Sequence, residues 1–302
     1  MVLQTNWSAQ PEQGGYYQAQ AKGYFREAGI NVRIDPGGPG AFPLQKVALG
    51  QADFGIGRSD DIILAVQQGM PLVMVCAQLE HDPQAIAVHA ESPVRRFEDL
   101  NGRTIKAVVG QVWLDYLKDR FRIQFGVVPE NYGFAQFAAD PAMIQQSYLT
   151  SDAYYCATHR VAVRMLPIFT SGYDAYRVVF TRRELLRQRP EAVRAFVRAS
   201  IRGWEDFIGG DPSAAGALLV RDNPENTPEL IAYDRAALRD GQLAAGNPAL
   251  GESCGLITRR RLADEIAILR RMKVLQAPLT VDQVATFEFL PDALRERAEA
   301  TP

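Results

Sequence analysis

The start of the chain alternates short apolar runs with stretches of helical period. Residues 2–6 predict a strand. Residues 15–28 predict a helix with Tyr16, Ala19, Gly23, Tyr24 and Ala28 on one face and Gly29 as its stop. Strands follow at 31–34, 53–56 and 71–78, separated by helices at 42–49 and from Asp60 or Asp61 to about Gly69. Single helices between consecutive strands predict a mainly parallel sheet covered on both faces.

A second module of similar pattern begins near Gln84. It predicts strands at 85–89, 104–109, 153–155 and 176–181, with a short helix at 97–102 and longer ones at 112–125 and 140–149. Beyond Arg182 the period becomes helical throughout. Residues 190–208 are the clearest case, with Pro190 in the first turn and Val193, Phe196, Val197, Ile201 and Trp204 at helical spacing. Further helices are predicted at 211–220, 228–244, 258–271 and 281–289. The fold class is therefore α/β in two lobes, with a helical C-terminal extension. One lobe takes 1–84 and 180–302, the other 85–179, and the crossings near 80–90 and 175–182 form a natural hinge.

Composition narrows the function. Of 302 residues, 47% are hydrophobic and 23% charged, an ordinary globular balance. A net charge of -2 with no basic stripe argues against a nucleic-acid partner. The longest apolar run, residues 71–77, falls short of the roughly 18 residues of a membrane span. The cysteines Cys76, Cys156 and Cys254 are too far apart for a disulfide framework or a zinc-ligand spacing. No leader precedes the first strand, so the expectation is either a cytoplasmic protein or a mature chain.

In open sheets ligands bind at the carboxyl ends of strands. Asn6 and Trp7 follow the first strand and offer an amide and a stacking ring. The turn containing Gly38 fits neither a dinucleotide fingerprint nor a phosphate loop and reads equally as a plain turn. Arg58, Ser59 and Asp60 join a strand to a helix, where capping and ligand contact are compatible. Gln111 and Trp113 occupy the matching loop of the second module. Asp152 follows a helix, while Tyr173, Asp174 and Tyr176 lie at the return crossing and Gln84 at the outgoing one. The histidines His81, His89 and His159 form no HExxH pair, and no Gly-x-Ser-x-Gly elbow is present.

These segments resemble the NMT1/THI5-like substrate-binding proteins. The resemblance is carried by Asn6-Trp7, by Pro11-Glu12-Gln13-Gly14-Gly15-Tyr16-Tyr17 and by Ala21-Lys22-Gly23-Tyr24-Phe25. Gly50-Gln51-Ala52-Asp53-Phe54-Gly55-Ile56-Gly57, Phe97-Glu98-Asp99-Leu100-Asn101-Gly102 and Pro190-Glu191-Ala192-Val193-Arg194-Ala195-Phe196 extend it. It implies a type II periplasmic-binding-protein fold that serves an ABC importer permease. The protein would be periplasmic or an extracytoplasmic lipoprotein, a monomer without cofactor, catalytic residue, metal or stable membrane insertion. It also brings Glu12 and Tyr16 into the candidate ligand set. By position Trp7 and Asp152 match the ring-holding Trp and carboxylate of pyrimidine-binding relatives, although a Glu is common where Asp152 stands. Cys156 alone remains where yeast-type synthases carry a cysteine cluster, and no histidine follows Trp7. That departure speaks against synthase chemistry.

The leading expectation is capture, without reaction, of a small planar nitrogen heterocycle resembling a thiamine-pyrimidine precursor in a cleft between the lobes. One alternative is a sulfonate-, nitrate- or aromatic-acid-like anion, favoured by Arg58. Another is an enzyme on the same scaffold, of pyrimidine-synthase or menaquinone-pathway type.

Overall fold

The computed structural model describes residues 1–131 and 133–300, so the last two residues of the predicted range 180–302 lie outside it. Two compact units emerge, Met1–His81 with Ala175–Pro302, and Asp82–Asp174. The second is therefore inserted into the first, and the chain crosses twice.

The first unit holds a sheet of five strands in the order β2-β1-β3-β10-β4. These are β1 (Val2–Gln4), β2 (Arg33–Asp35), β3 (Phe54–Arg58), β4 (Leu72–Leu79) and β10 (Arg177–Arg182). Strand β1 runs parallel to β2 and β3, whereas β10 is antiparallel to β3 and β4. It follows that β1 to β4 all point one way, and one sheet edge gathers their carboxyl ends together with the start of β10. Strands β3 and β4 are buried along their whole length, as strands covered on both faces must be.

Close helix packing covers this sheet. The helix Pro190–Gly209 lies against Gly14–Ala21, and the approach depends on glycine. A Cβ on Gly203 would sit 2.2 Å from the Gly15 carbonyl oxygen, and one on Gly15 would sit 2.2 Å from the Trp204 ring. Around that contact Phe196 stacks on Phe54 at 3.8 Å and on Phe25 at 5.5 Å. The remaining helices of the C-terminal region include Ser213–Asp222, Pro228–Asp240 and Arg259–Arg271, the last two capped by Thr227 and Thr258.

The second unit holds five strands in the order β7-β6-β8-β5-β9. These are β5 (Gln84–His89), β6 (Thr104–Ala107), β7 (Gly126–Pro129), β8 (Ile144–Tyr148) and β9 (Val163–Pro167). Strands β6, β7 and β8 are parallel, and β5 runs against β8 and β9. Both sheets are thus mixed, each with one reversed strand.

Three expectations fail in this unit. Residues 144–148 form β8 rather than the end of a helix, and Ser151–Thr158 is a helix where a strand was expected at 153–155. The strand expected here at 176–181 is β10, which pairs with β3 and β4 in the first unit. Gln145, Gln146 and Ser147 look like a polar helix face, but they are buried by strands on both sides. Strands β7 and β9 are short and carry no clear alternation, so the sequence conceals them. Elsewhere the helix expected at 15–28 breaks at Gly23, whose φ of 79° is left-handed.

Replacing Gly203 with Ala should therefore cost about 1–3 kcal/mol of stability, because backbone as well as side chain blocks the new methyl group. Gly209→Ala meets nothing within 4 Å and should be neutral or slightly stabilising. Thermal and denaturant unfolding of the two variants checks the contrast.

Candidate functional site

The carboxyl edge of the first sheet concentrates the polar loops. Past β1, Thr5 donates its hydroxyl to the Trp7 carbonyl at 2.6 Å and accepts the Gly37 N–H at 3.0 Å. Gly37 also donates to the Trp7 carbonyl at 2.8 Å. The loop after β2 is thereby stapled to the loop that carries Asn6 and Trp7, both half-buried. The glycine that this close approach needs is Gly37, since a Cβ there would stand 2.4 Å from the Thr5 carbonyl oxygen. A Cβ on Gly38, the candidate named from sequence, would meet nothing within 4 Å.

At the end of β3 sit two buried opposite charges. Arg58 is 5% exposed and Asp60 fully buried, and the guanidinium grips both carboxylate oxygens, with Nε at 3.1 Å. Between them Ser59 accepts the Tyr176 N–H at 3.0 Å and donates to Glu265 Oε1 at 2.8 Å. The Ser59 N–H returns to the Tyr176 carbonyl at 3.0 Å. Tyr176 is further fixed by Arg261, whose guanidinium lies 3.7 Å from its ring centre. The start of β10 is thus clasped to the end of β3 and to the helix Arg259–Arg271.

Glu265 was not foreseen. It lies inside that helix, reads as an ordinary amphipathic position and is 6% exposed. Burial, then the Asp60 charge, push its carboxyl up to about 8, against the opposing pull of Ser59, Arg261 and Arg58.

Tyr16 does not belong to this edge. It is fully buried, with its ring 6.5 Å from Phe196 and 5.9 Å edge-on to Trp204, so it is a core residue of the helix contact. Glu12 lies in the first loop, where its backbone carbonyl accepts from the Gln78 side chain at 2.5 Å.

The matching edge of the second sheet carries the start of β5 and the ends of the other four strands. Gln84 is buried there and donates to Gln111 Oε1 and to the Tyr148 hydroxyl, each at 3.2 Å. The Trp113 indole N–H also donates to Gln111 Oε1, and the Trp113 ring is fully buried in the first turn of its helix. Tyr148 is the member of this group that sequence missed, because residues 140–149 read as a helix. Asp152 accepts from Ser147 Oγ at 2.9 Å and from the Tyr148 N–H at 2.8 Å. Burial, the largest influence, raises its carboxyl above the usual range. Tyr173 packs 5.0 Å from Tyr116, and Asp174 ends the unit half-buried at the crossing.

The histidines occupy structural positions. His81 lies 3.3 Å from Glu252, His89 2.7 Å from the Phe137 carbonyl and His159 2.9 Å from the Tyr155 carbonyl. Among the described residues no group of three or more His, Cys, Asp or Glu side chains could hold a metal ion, and no helix is long and apolar enough to cross a membrane.

The fold is the α/β periplasmic-binding-protein fold. It is shared with the aliphatic sulphonate binding protein SsuA of Escherichia coli, at a TM-score of 0.68 and 15% identity, covering 93% of this chain and 91% of that one. The family model described as NMT1/THI5 like matches residues 10–215, and the chain belongs to that family. Among its relatives, the riboflavin-binding protein RibY of Chloroflexus aurantiacus is 28% identical over 294 residues, covering 91% of this chain and 82% of that one. A 4-amino-5-hydroxymethyl-2-methylpyrimidine phosphate synthase of Legionella pneumophila is 22% identical over 318 residues, covering 97% and 92%.

Two outcomes follow from this geometry. The unfolded chain releases the Glu265 proton near pH 4.5, whereas the folded chain holds it to about 8. The folded state binds more protons in that window, so stability should fall as pH rises from 4.5 to 8 and level off above it. Glu265→Gln should flatten this slope in urea unfolding series run from pH 5 to 9. Gly37→Ala should destabilise the protein by about 1–3 kcal/mol, while Gly38→Ala leaves it within about 0.5 kcal/mol in the same assay.

Proposed function

We propose that this chain is the solute-binding protein of an ABC importer, acting outside the cytoplasm, and that it captures a small, flat, uncharged nitrogen heterocycle without altering it. In this reading the loaded protein delivers its ligand to a membrane permease. The fold and the family support capture. Relatives that bind riboflavin or make a hydroxymethylpyrimidine phosphate support a planar heterocycle.

One observation carries the choice of an uncharged ligand. Arg58, the residue that favoured an anion, already spends its guanidinium on the buried Asp60 carboxylate. An incoming sulfonate would have to compete with that pair and leave Asp60 as a buried, uncompensated charge, a costly state. The remaining groups of the two edges are the amides, hydroxyls and aromatic rings of Asn6, Trp7, Gln84, Gln111, Trp113 and Tyr148, with the carboxyl groups of Glu12, Asp152 and Asp174 beside them. Amides supply both donors and acceptors to a heterocycle. A rejected ligand would leave these groups buried and unpaired, which is the basis of selectivity.

The synthase alternative needs reactive groups at these edges. His89 stands at the far end of β5 from Gln84, and all three cysteines are buried. Burial alone pushes the Cys76 thiol up to about 12, and burial with the nearby Asp152 charge pushes Cys156 to about 11, which weakens both as nucleophiles.

Thermal shift decides between the readings. Riboflavin or 4-amino-5-hydroxymethyl-2-methylpyrimidine should raise the melting temperature. At a hundredfold excess over Kd the gain is about 2.7 kcal/mol. An aliphatic sulfonate should leave it unchanged. Mass spectrometry after incubation and denaturation should return the ligand at its original mass and the chain intact. A shift with the sulfonate alone, or a converted ligand, contradicts the proposal.

A further inference from the structure

Strand β4 carries a bulge at its carboxyl end. Leu79 pairs with Arg177 and Ala77 pairs with Val178, so Gln78 has no residue opposite it on β10. A bulge bends the strand and re-aims the extra side chain, and such bulges concentrate beside binding and active sites. This one lies on the sheet edge that carries Asn6, Trp7 and Arg58.

The amide orientation of Gln78 is set by its surroundings. Its Nε2 donates to the Glu12 carbonyl at 2.5 Å, and only the nitrogen end can face a carbonyl oxygen. The opposite end, Oε1, is then left buried without a hydrogen-bond partner, on a residue only 2% exposed. Asn6 Oδ1 is a second buried acceptor on the same edge without a partner. Buried acceptors of this kind are rare in folded proteins, and a ligand that donates a hydrogen is one way to satisfy them.

We propose that Gln78 is the specificity-determining acceptor of the site. Its Oε1 receives a hydrogen bond from a ring N–H or an exocyclic amino group, so the protein selects heterocycles that donate there and rejects those that only accept. The inference rests on the capture reading above and narrows its ligand class to N–H donors. The Glu12 carbonyl holds the amide in register.

Paired ligands test this by isothermal titration calorimetry on the full chain. Riboflavin carries a ring imide N–H that 3-methylriboflavin lacks. 4-Amino-5-hydroxymethyl-2-methylpyrimidine carries an amino group whose N,N-dimethyl counterpart has no N–H to donate. In at least one pair the donor should bind about tenfold or more tightly than its methylated partner. Gln78→Met and Gln78→Leu, which both remove the acceptor at similar volume, should erase most of that ratio. Should Gln78→Met fail to fold, the wild-type ratios with Gln78→Leu still decide. Equal affinities within both pairs would overturn the inference and leave the capture reading standing. The same ratio in wild type and Gln78→Met would assign it to the bulk of the methyl group and overturn the inference too. Binding by none of the four compounds would remove both readings together.

Discussion

The first unit depends on one antiparallel strand. β10 arrives after the whole second unit and wedges between β3 and β4, completing a sheet whose other members all point the opposite way. Its arrival creates the bulge at Gln78 and brings the Tyr176 backbone onto Ser59. Through Ser59 the strand is tied to Glu265, and through its ring to Arg261, both on the helix Arg259–Arg271. The helical C-terminal region is therefore more than a cover for apolar surface. It holds the start of the returning strand in register with the loop after β3.

Electrostatics at that junction are closed within the protein. Arg58 and Asp60 cancel each other out of contact with water, and Glu265 meets the proximity of Asp60 by holding its proton. A buried pair of this kind adds little net stability compared with apolar packing, yet breaking it by removing one partner is expensive. Its effect on recognition is to leave the edge without an uncommitted charge at Arg58. The groups that remain for a ligand recognise shape and hydrogen-bond pattern.

Much of the first unit was legible because its strands and helices alternate in short, regularly punctuated blocks. Val193, Phe196, Val197, Ile201 and Trp204 announced the long helix, and all five are buried in it. The family was legible as well, from segments spread over most of the chain. The second unit was less so. Gln145, Gln146 and Ser147 owe their strand conformation to neighbours far away in sequence, and local polarity pointed to a helix. Among the candidate site residues, Asn6, Trp7, Arg58, Ser59 and Asp60 sit on one sheet edge, and Gln84, Gln111 and Trp113 are gathered on another. Tyr16 misled because an aromatic in a loop-proximal helix looks the same whether it faces a ligand or a core. Gln78 and Glu265 were invisible because a bulge and a buried carboxyl both arise from long-range pairing.

The central claim is the proposed capture of a flat heterocycle by the polar groups at the carboxyl edge of the first sheet. Hydrogen–deuterium exchange on the full chain, with and without whichever of riboflavin and 4-amino-5-hydroxymethyl-2-methylpyrimidine raises the melting temperature, addresses it directly. The account predicts slowed exchange in peptides covering residues 5–12, 57–61 and 76–80 of the first unit and 84–86 and 108–114 of the second. Slowed exchange placed away from these edges would contradict it.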